Sequence, residues 1–156
     1  MTVAPRIDLS AAALAYVRDF DWHVFPVGPD KKPLTTHGFK DATRYAEQIR
    51  QWWSRWPSAN IGIACGASGI VVVDLDLDVK KDLDGPAEWA KLTAGHDPIR
   101  TAEASTPRGG RHLYFTAPDQ SEIRNSASKL AKGIDVRGIG GYIVVPPSST
   151  SDGVYE

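Results

Sequence analysis

Three aspartates, Asp74, Asp76 and Asp78, follow the apolar run Ile70 to Val73 at every second position of the stretch SGIVVVDLDLD. A strand turns alternate side chains to one face, so these carboxylates stand roughly 7 Å apart along the backbone and repel one another. Something positive must hold them. Asp74 and Asp76 at a strand end make a pair of hard oxygen donors for Mg²⁺ or Mn²⁺, ions that take carboxylate, water and phosphate ligands. The competing reading is a solvated strand end with exposed acids. Asp78 shares the parity but adjoins the polar run Lys80–Lys81–Asp82, which assigns it to the surface.

Two further stretches carry groups suited to phosphate chemistry. In STPRGGRHLYF, Ser105 to Phe115, Gly109 and Gly110 allow backbone N–H groups close to an anion, and Arg111 and His112 add donors for phosphate oxygens. A plain hairpin turn with a strand histidine explains the same residues. In KGIDVRG, Asp135 sits in a short apolar strand, where an acid is unfavourable unless exposed or paired. It becomes a third ligand if folding brings it beside Asp74 and Asp76, and Arg137, of the same parity, then reaches a triphosphate. The alternative is an Asp135–Arg137 surface pair, worth little. Ser148 and Ser149, after a double proline, read as turn or capping hydroxyls. Lys31, Lys32, Lys40, Arg44, Arg50 and Arg55 interleave with Trp52, Trp53 and Trp56. That mixture suits a template strand held by phosphate contacts and stacking, but the helical spacing of the tryptophans assigns them to packing.

The elements that must position these groups follow from pattern. DLSAAALAYVRDF predicts a helix over residues 9–20 capped by Asp8 or Ser10, and WHVFPV predicts a strand that delivers Lys31 and Lys32 onto the turn GPDKKP. Ala42 to Trp56 predicts a second helix, stopped by Pro57. ANIGIACG and the acidic stretch follow as strands. DLDGPAEWAKLTAGH predicts a helix from Gly85 or Pro86 to near Gly95. RHLYFTA, IDVRG and YIVVPPSS read as short strands, with GIGG, Gly138 to Gly141, as a hairpin between the last two. The 156 residues, 42% of them hydrophobic, suit one domain of two lobes. A formal charge of −1 excludes a wholesale basic character, so any nucleic-acid contact comes from a local patch. One cysteine, Cys65, excludes an internal disulfide and a zinc ribbon and fits a reducing compartment. No leader pattern and no apolar run long enough to cross a bilayer is present, so a cytoplasmic protein without a membrane partner is expected. The Asp152–Gly153 turn signal near the last residue points to a further strand, and the chain is expected to be cut from a longer protein.

The three acidic and glycine-rich stretches, in this order, resemble the archaeo-eukaryotic primase superfamily, and within it the bifunctional primase/polymerase domain of plasmid, phage and prophage replication proteins. The D-x-D of VVVDLD resembles that family's first motif, Gly110–Arg111–His112 its small-x-His second motif, and Ile134–Asp135 its third. KKP, WWSRWPSANIGIACG and GGYIVVPPSS are similar as well, so the likeness covers nearly the whole chain, residues 1–156 forming one catalytic domain. It implies a two-lobed mixed α/β (α+β) fold, an amino-terminal α/β unit packed on a sheet like that of RNA-recognition motifs, with a central cleft. It implies template-directed nucleotidyl transfer with Asp74, Asp76 and Asp135 as metal-binding catalytic acids for two Mg²⁺ or Mn²⁺ ions. Gly110, Arg111, His112 and Arg137 would bind nucleotide. Partners implied are a single-stranded DNA template and primer, ribo- or deoxyribonucleoside triphosphates, and a helicase module or carboxyl-terminal region outside this chain. The zinc-binding element of several primases cannot form with Cys65 as the only thiol.

Two other classes compete. Phosphatases of the haloacid-dehalogenase type also end a hydrophobic strand with D-x-D, the first Asp acting as nucleophile, but there the strand usually opens the domain and a Thr stands where this chain has Asp78. A non-catalytic module binding nucleotide or single-stranded nucleic acid on a sheet would keep the acids without turnover.

Overall fold

A computed structural model describes residues 6–156; the first five residues of the amino-terminal stretch read above for a leader lie outside the described residues. Asp8 accepts a hydrogen bond from Ala11 N at 3.0 Å and starts helix α1 (Leu9–Phe20), as its N-cap chemistry predicts. The chain then forms β1 (Val24–Val27), a 3₁₀ turn (Gly38–Asp41), α2 (Ala46–Arg55), β2 (Asn60–Ala64) and β3 (Ile70–Leu75). A short ladder of β4 (Leu77–Asp78) and β5 (Leu83–Asp84) encloses a second 3₁₀ turn (Val79–Lys81) and leads into α3 (Gly85–Thr93), which Asp84 caps. The remainder is strand: β6 (Glu103–Ser105), β7 (Arg111–Thr116), β8 (Ile134–Arg137), β9 (Tyr142–Val145), and the ladder of β10 (Ser149–Thr150) with β11 (Gly153–Val154). The fold is mixed α/β. No helix among the described residues is long and apolar enough to cross a membrane.

Two antiparallel sheets carry the architecture, one of order β1–β2–β9 and one of order β6–β7–β3–β8. They share a core. Ile61, Ile63, Ile143 and Val145 of the first sheet join Ile70 and Val72 of the second, together with Ala13 of α1 and Ile49 and Trp53 of α2. The opposite face of the second sheet presents Val73, Leu75, Leu113 and Ile134 to Trp89 of α3. Burial on both faces accounts for the unbroken apolar run before Asp74. Trp52 and Trp56 pack against the first core and the Trp53 Nε1–H donates to Ala59 O, so the tryptophans are structural as their spacing indicates.

The second helix starts at Ala46 instead of Ala42, because Thr43 exchanges backbone hydrogen bonds with Val24 (2.9 and 3.0 Å) and so stays extended. The expected hairpin at Gly138–Gly141 does not form. β8 pairs with β3, while β9 crosses to the other sheet and pairs with β2. The free edge of β8 is taken by a distant segment, in which Ser126 and Val136 exchange two 2.8 Å backbone bonds, so no edge is left for β9. Ser148 is fully buried, and its hydroxyl accepts from Ile61 N while Asn60 brackets Ser149, tying the turn after the prolines to β2.

Gly85 is the tightest junction near the acids. Its N–H donates to Asp76 O at 2.7 Å, and Asp76 N in turn donates to Gly133 O at 2.8 Å. A Cβ on Gly85 would fall 2.3 Å from Gly133 O and 2.8 Å from Asp76 N. Gly85→Ala is therefore expected to cost about 1–3 kcal/mol by forced overlap. Gly95→Ala faces open space and meets only left-handed backbone strain, about 1 kcal/mol. Urea unfolding of both variants checks this, and equal losses would contradict a steric clamp on Asp76.

Candidate active site

β3 lies between β7 and β8, and the register makes Asp74 the direct neighbour of His112 on one side and of Asp135 on the other. Directly opposed residues of antiparallel strands project to one face, so the histidine and two acids form a single row. Asp76 has the same parity one step past the ladder and is aimed by the Gly85–Gly133 clamp on its backbone. Each of Asp74, Asp76 and Asp135 offers a carboxylate oxygen within 4.8 Å of the others. Residues 61 positions apart in the chain thus share one small volume.

The charges there are only partly matched. Asp74 and Asp135 are each 13% exposed at the side chain. Arg137 bridges them, with one terminal guanidinium nitrogen 2.8 Å from Asp135 Oδ2 and Nε 3.5 Å from Asp74 Oδ2. His112 Nε2 lies 3.4 Å from Asp74 Oδ1, and Ser128 N donates to Asp135 Oδ1 at 3.0 Å. Burial pushes the Asp74 carboxyl upward, but His112 and Arg137 outweigh it and hold the group below its ordinary range. Asp76 has no ion-pair partner among the described residues. Its carboxyl is raised, first by burial and then by Asp74 and Asp135, with Arg137 and Arg108 offsetting only part. Three hard oxygen donors with a residual negative charge suit Mg²⁺ or Mn²⁺.

Before the acids lies a cleft of about 380 Å³, whose lining includes Asp74, Asp76, His112 and Arg137 together with Lys31 and Arg108. Tyr155, almost fully buried, and Tyr142 complete its apolar wall. Four of the sequence-predicted residues, Asp74, Asp76, His112 and Arg137, line the cleft, and Asp135 stands beside them. Arg111 requires correction. It pairs across from Leu75, on the reverse face of the sheet, and reaches toward Glu103 at 3.7 Å. Neighbours in a strand point oppositely, so Arg111 and His112 cannot serve one pocket.

Gly110 does not line the cleft. A Cβ there would lie 2.3 Å from Leu75 O, so the small residue before His112 is required by packing against β3. Gly109 N–H is likewise engaged, donating to Thr106 O within the turn. Asp78 is 10% exposed and takes a salt bridge from Arg108, so it is no free surface acid. Sequence reasoning passed over Arg108 and read Lys31 only as part of a basic face for a template strand, although both stand in turns beside recognised motifs.

Fold and site together define a mixed α/β protein with a candidate divalent-cation centre at the edge of a cationic cleft. Residues 13–156 match the family described as bifunctional DNA primase/polymerase, N-terminal, and the chain belongs to it. The family is one of nucleotidyltransferases acting on DNA and nucleotides in replication. A comparison with curated proteins finds no match.

Two stability measurements probe the electrostatics. The raised carboxyl of Asp76 means that its ionised form opposes folding above that raised pKa, an effect that vanishes below the ordinary carboxylate range, where folded and unfolded states are both protonated. Asp76→Asn is expected to raise the melting temperature in EDTA at pH 7.5 and to approach wild type as the pH falls below the ordinary carboxylate range; a loss at pH 7.5 would contradict this. Arg137→Met strands two largely buried carboxylates and is expected to cost about 2–4 kcal/mol in EDTA. Mn²⁺ should stabilise that variant more than wild type in parallel melts.

Proposed function

We propose that this domain is a template-directed nucleotidyltransferase in which Asp74, Asp76 and Asp135 hold two Mg²⁺ or Mn²⁺ ions and join a nucleoside triphosphate to a 3′-hydroxyl. That hydroxyl belongs to a primer or to an initiating nucleotide. The observation that carries the reading is the convergence of three carboxylates, distant in sequence, within 4.8 Å at the end of a cleft bearing cations. Family membership supports the reaction class. When bound, the ions lower the pKa of the attacking hydroxyl and neutralise charge on the triphosphate and the departing pyrophosphate.

The chain's own residues have separable tasks in this reading. Asp74 and Asp135 are rigid donors, because adjacent strands hold them in register. Asp76, which has no ion-pair partner among the described residues, would be the third carboxylate donor to the cations. Arg137 pairs with the acids in their absence and turns to the triphosphate once they are occupied. His112, packed beside Asp74, donates to a phosphate oxygen, so catalysis is chiefly electrostatic and positional. The new bond forms between the 3′-oxygen and the α-phosphorus while the α–β bridging bond breaks.

Primer extension on a single-stranded template with Mg²⁺ or Mn²⁺ tests the proposal. Asp74→Ala/Asp76→Ala and Asp135→Asn proteins are each expected to lose at least about 10²-fold in rate, since metal-ion stabilisation is worth several kcal/mol. Full activity in the double variant would end it. Metal-independent binding of DNA without extension by the wild type would instead favour the non-catalytic module.

A further inference from the structure

Asp78, third in the alternating acid series, turns away from the carboxylate cluster, and every contact it makes is local or toward Arg108. Its Oδ1 accepts from Lys80 N (3.1 Å) and Lys81 N (3.4 Å), capping the 3₁₀ turn. Its Oδ2 stands 3.2 Å from Arg108 Nη1 and 3.8 Å from Lys81 Nζ. A carboxylate 10% exposed and fixed at both oxygens is a rigid anchor. Arg108 itself is 43% exposed, and only one of its five N–H donors faces the anchor side chain. The turn that carries it is closed by Thr106 N to Gly110 O (3.0 Å) and Gly109 N to Thr106 O (2.9 Å), so its backbone is set as well.

Lys31, which also lines the cleft, stands in the loop after β1. That loop is closed by Gly28 N to Lys32 O at 2.8 Å, and Lys31 O accepts from the Tyr142 hydroxyl at 2.8 Å. Lys31 pairs with no carboxylate among the described residues, whereas Lys32 approaches Asp30 at 3.7 Å. Two loops, one from each sheet, thus hold cations over a cleft whose inner end is acidic. The charge of Arg108 is felt inside it, where it lowers the carboxyl of Asp76 and the hydroxyl of Tyr155 against the other influences there. A ligand that satisfies both ends carries divalent cations at one and oxyanions along its length.

We propose that Arg108, positioned by Asp78, and Lys31 grip the polyphosphate of the incoming nucleotide from the two loops that line the cleft. The proposal rests on the nucleotidyltransferase reading and adds two residues to the His112 and Arg137 contacts with phosphate, with Asp78 a positioning residue acting through Arg108. The volume of about 380 Å³ suits a small ligand rather than a polynucleotide strand. Arg108 offers a planar fork of donors, the geometry suited to phosphate.

Steady-state extension by the full chain, with KM for nucleoside triphosphate and kcat separated and the dissociation constant for primer–template measured independently, tests this. Arg108→Met is expected to raise KM about tenfold or more, the scale of one charge-assisted hydrogen bond, with DNA affinity within twofold of wild type. Arg108→Lys should recover part of the loss. Asp78→Asn should raise KM in the same direction, yet add nothing in the Arg108→Met background, whereas a purely structural Asp78 would act equally in both. An unchanged KM in Arg108→Met, or a loss confined to DNA affinity, would overturn the proposal. Equilibrium binding of a nucleoside triphosphate with Mn²⁺ but no DNA keeps the two readings apart. A wild type that binds nucleotide through Arg108 but does not extend primers sinks only the catalytic reading; equal nucleotide binding by wild type and Arg108→Met sinks only this one.

Discussion

Three carboxylates within 4.8 Å, two of them largely buried, cannot coexist as free anions at neutral pH without compensating charge. At such separations each like pair costs about 1 kcal/mol in water and several times that in a less polar surrounding. Much of the second sheet can be understood as the means of bearing that cost. β3 is central, so Asp74 has a neighbour on each side and its position is set by two ladders. Asp76, past the ladders, is held through its backbone by α3 and by the loop before β8, at junctions that admit only glycine at position 85. Arg137 pairs with both Asp74 and Asp135 and His112 with Asp74, whereas Asp76 has no ion-pair partner among the described residues and feels Arg137 and Arg108 only at a distance.

The same strand must be anchored strongly enough to carry this charge. Its apolar part is buried from both sides, by the shared core of the two sheets and by α3, and Ile70 to Val73 show that demand as an uninterrupted apolar run. In the shared core lies Cys65, whose thiol burial pushes up to about 12 despite the favourable charge of Arg137. It therefore stays protonated and acts as a small apolar side chain. The acids stand where the double burial ends, at the transition from packed strand to cleft.

Local chemistry made much of this legible. The helix at Leu9–Phe20 carries its own cap at Asp8, and α3 carries Asp84 and Pro86, so neither depends on the rest of the chain for its limits. The acids and His112 were readable because strand parity converts spacing into a shared face. Parity applied one residue further would have set Arg111 aside, since it neighbours His112. What spacing could not reveal was pairing at a distance. Gly138–Gly141 has the composition of a hairpin, but Ser126 already pairs with Val136, and β9 belongs to the other sheet. The roles of Asp78, Arg108 and Lys31 depend on loops meeting across the molecule, and no local pattern encodes such meetings.

The central claim is that Asp74, Asp76 and Asp135 enclose a shared cation position from which Arg137 withdraws. Anomalous diffraction at the manganese edge, from crystals grown with Mn²⁺ and a nucleoside triphosphate, addresses it most directly. The account predicts manganese density among the three carboxylates with the Arg137 side chain displaced toward the phosphates. Manganese bound elsewhere, with Arg137 still bridging Asp74 and Asp135, would contradict it.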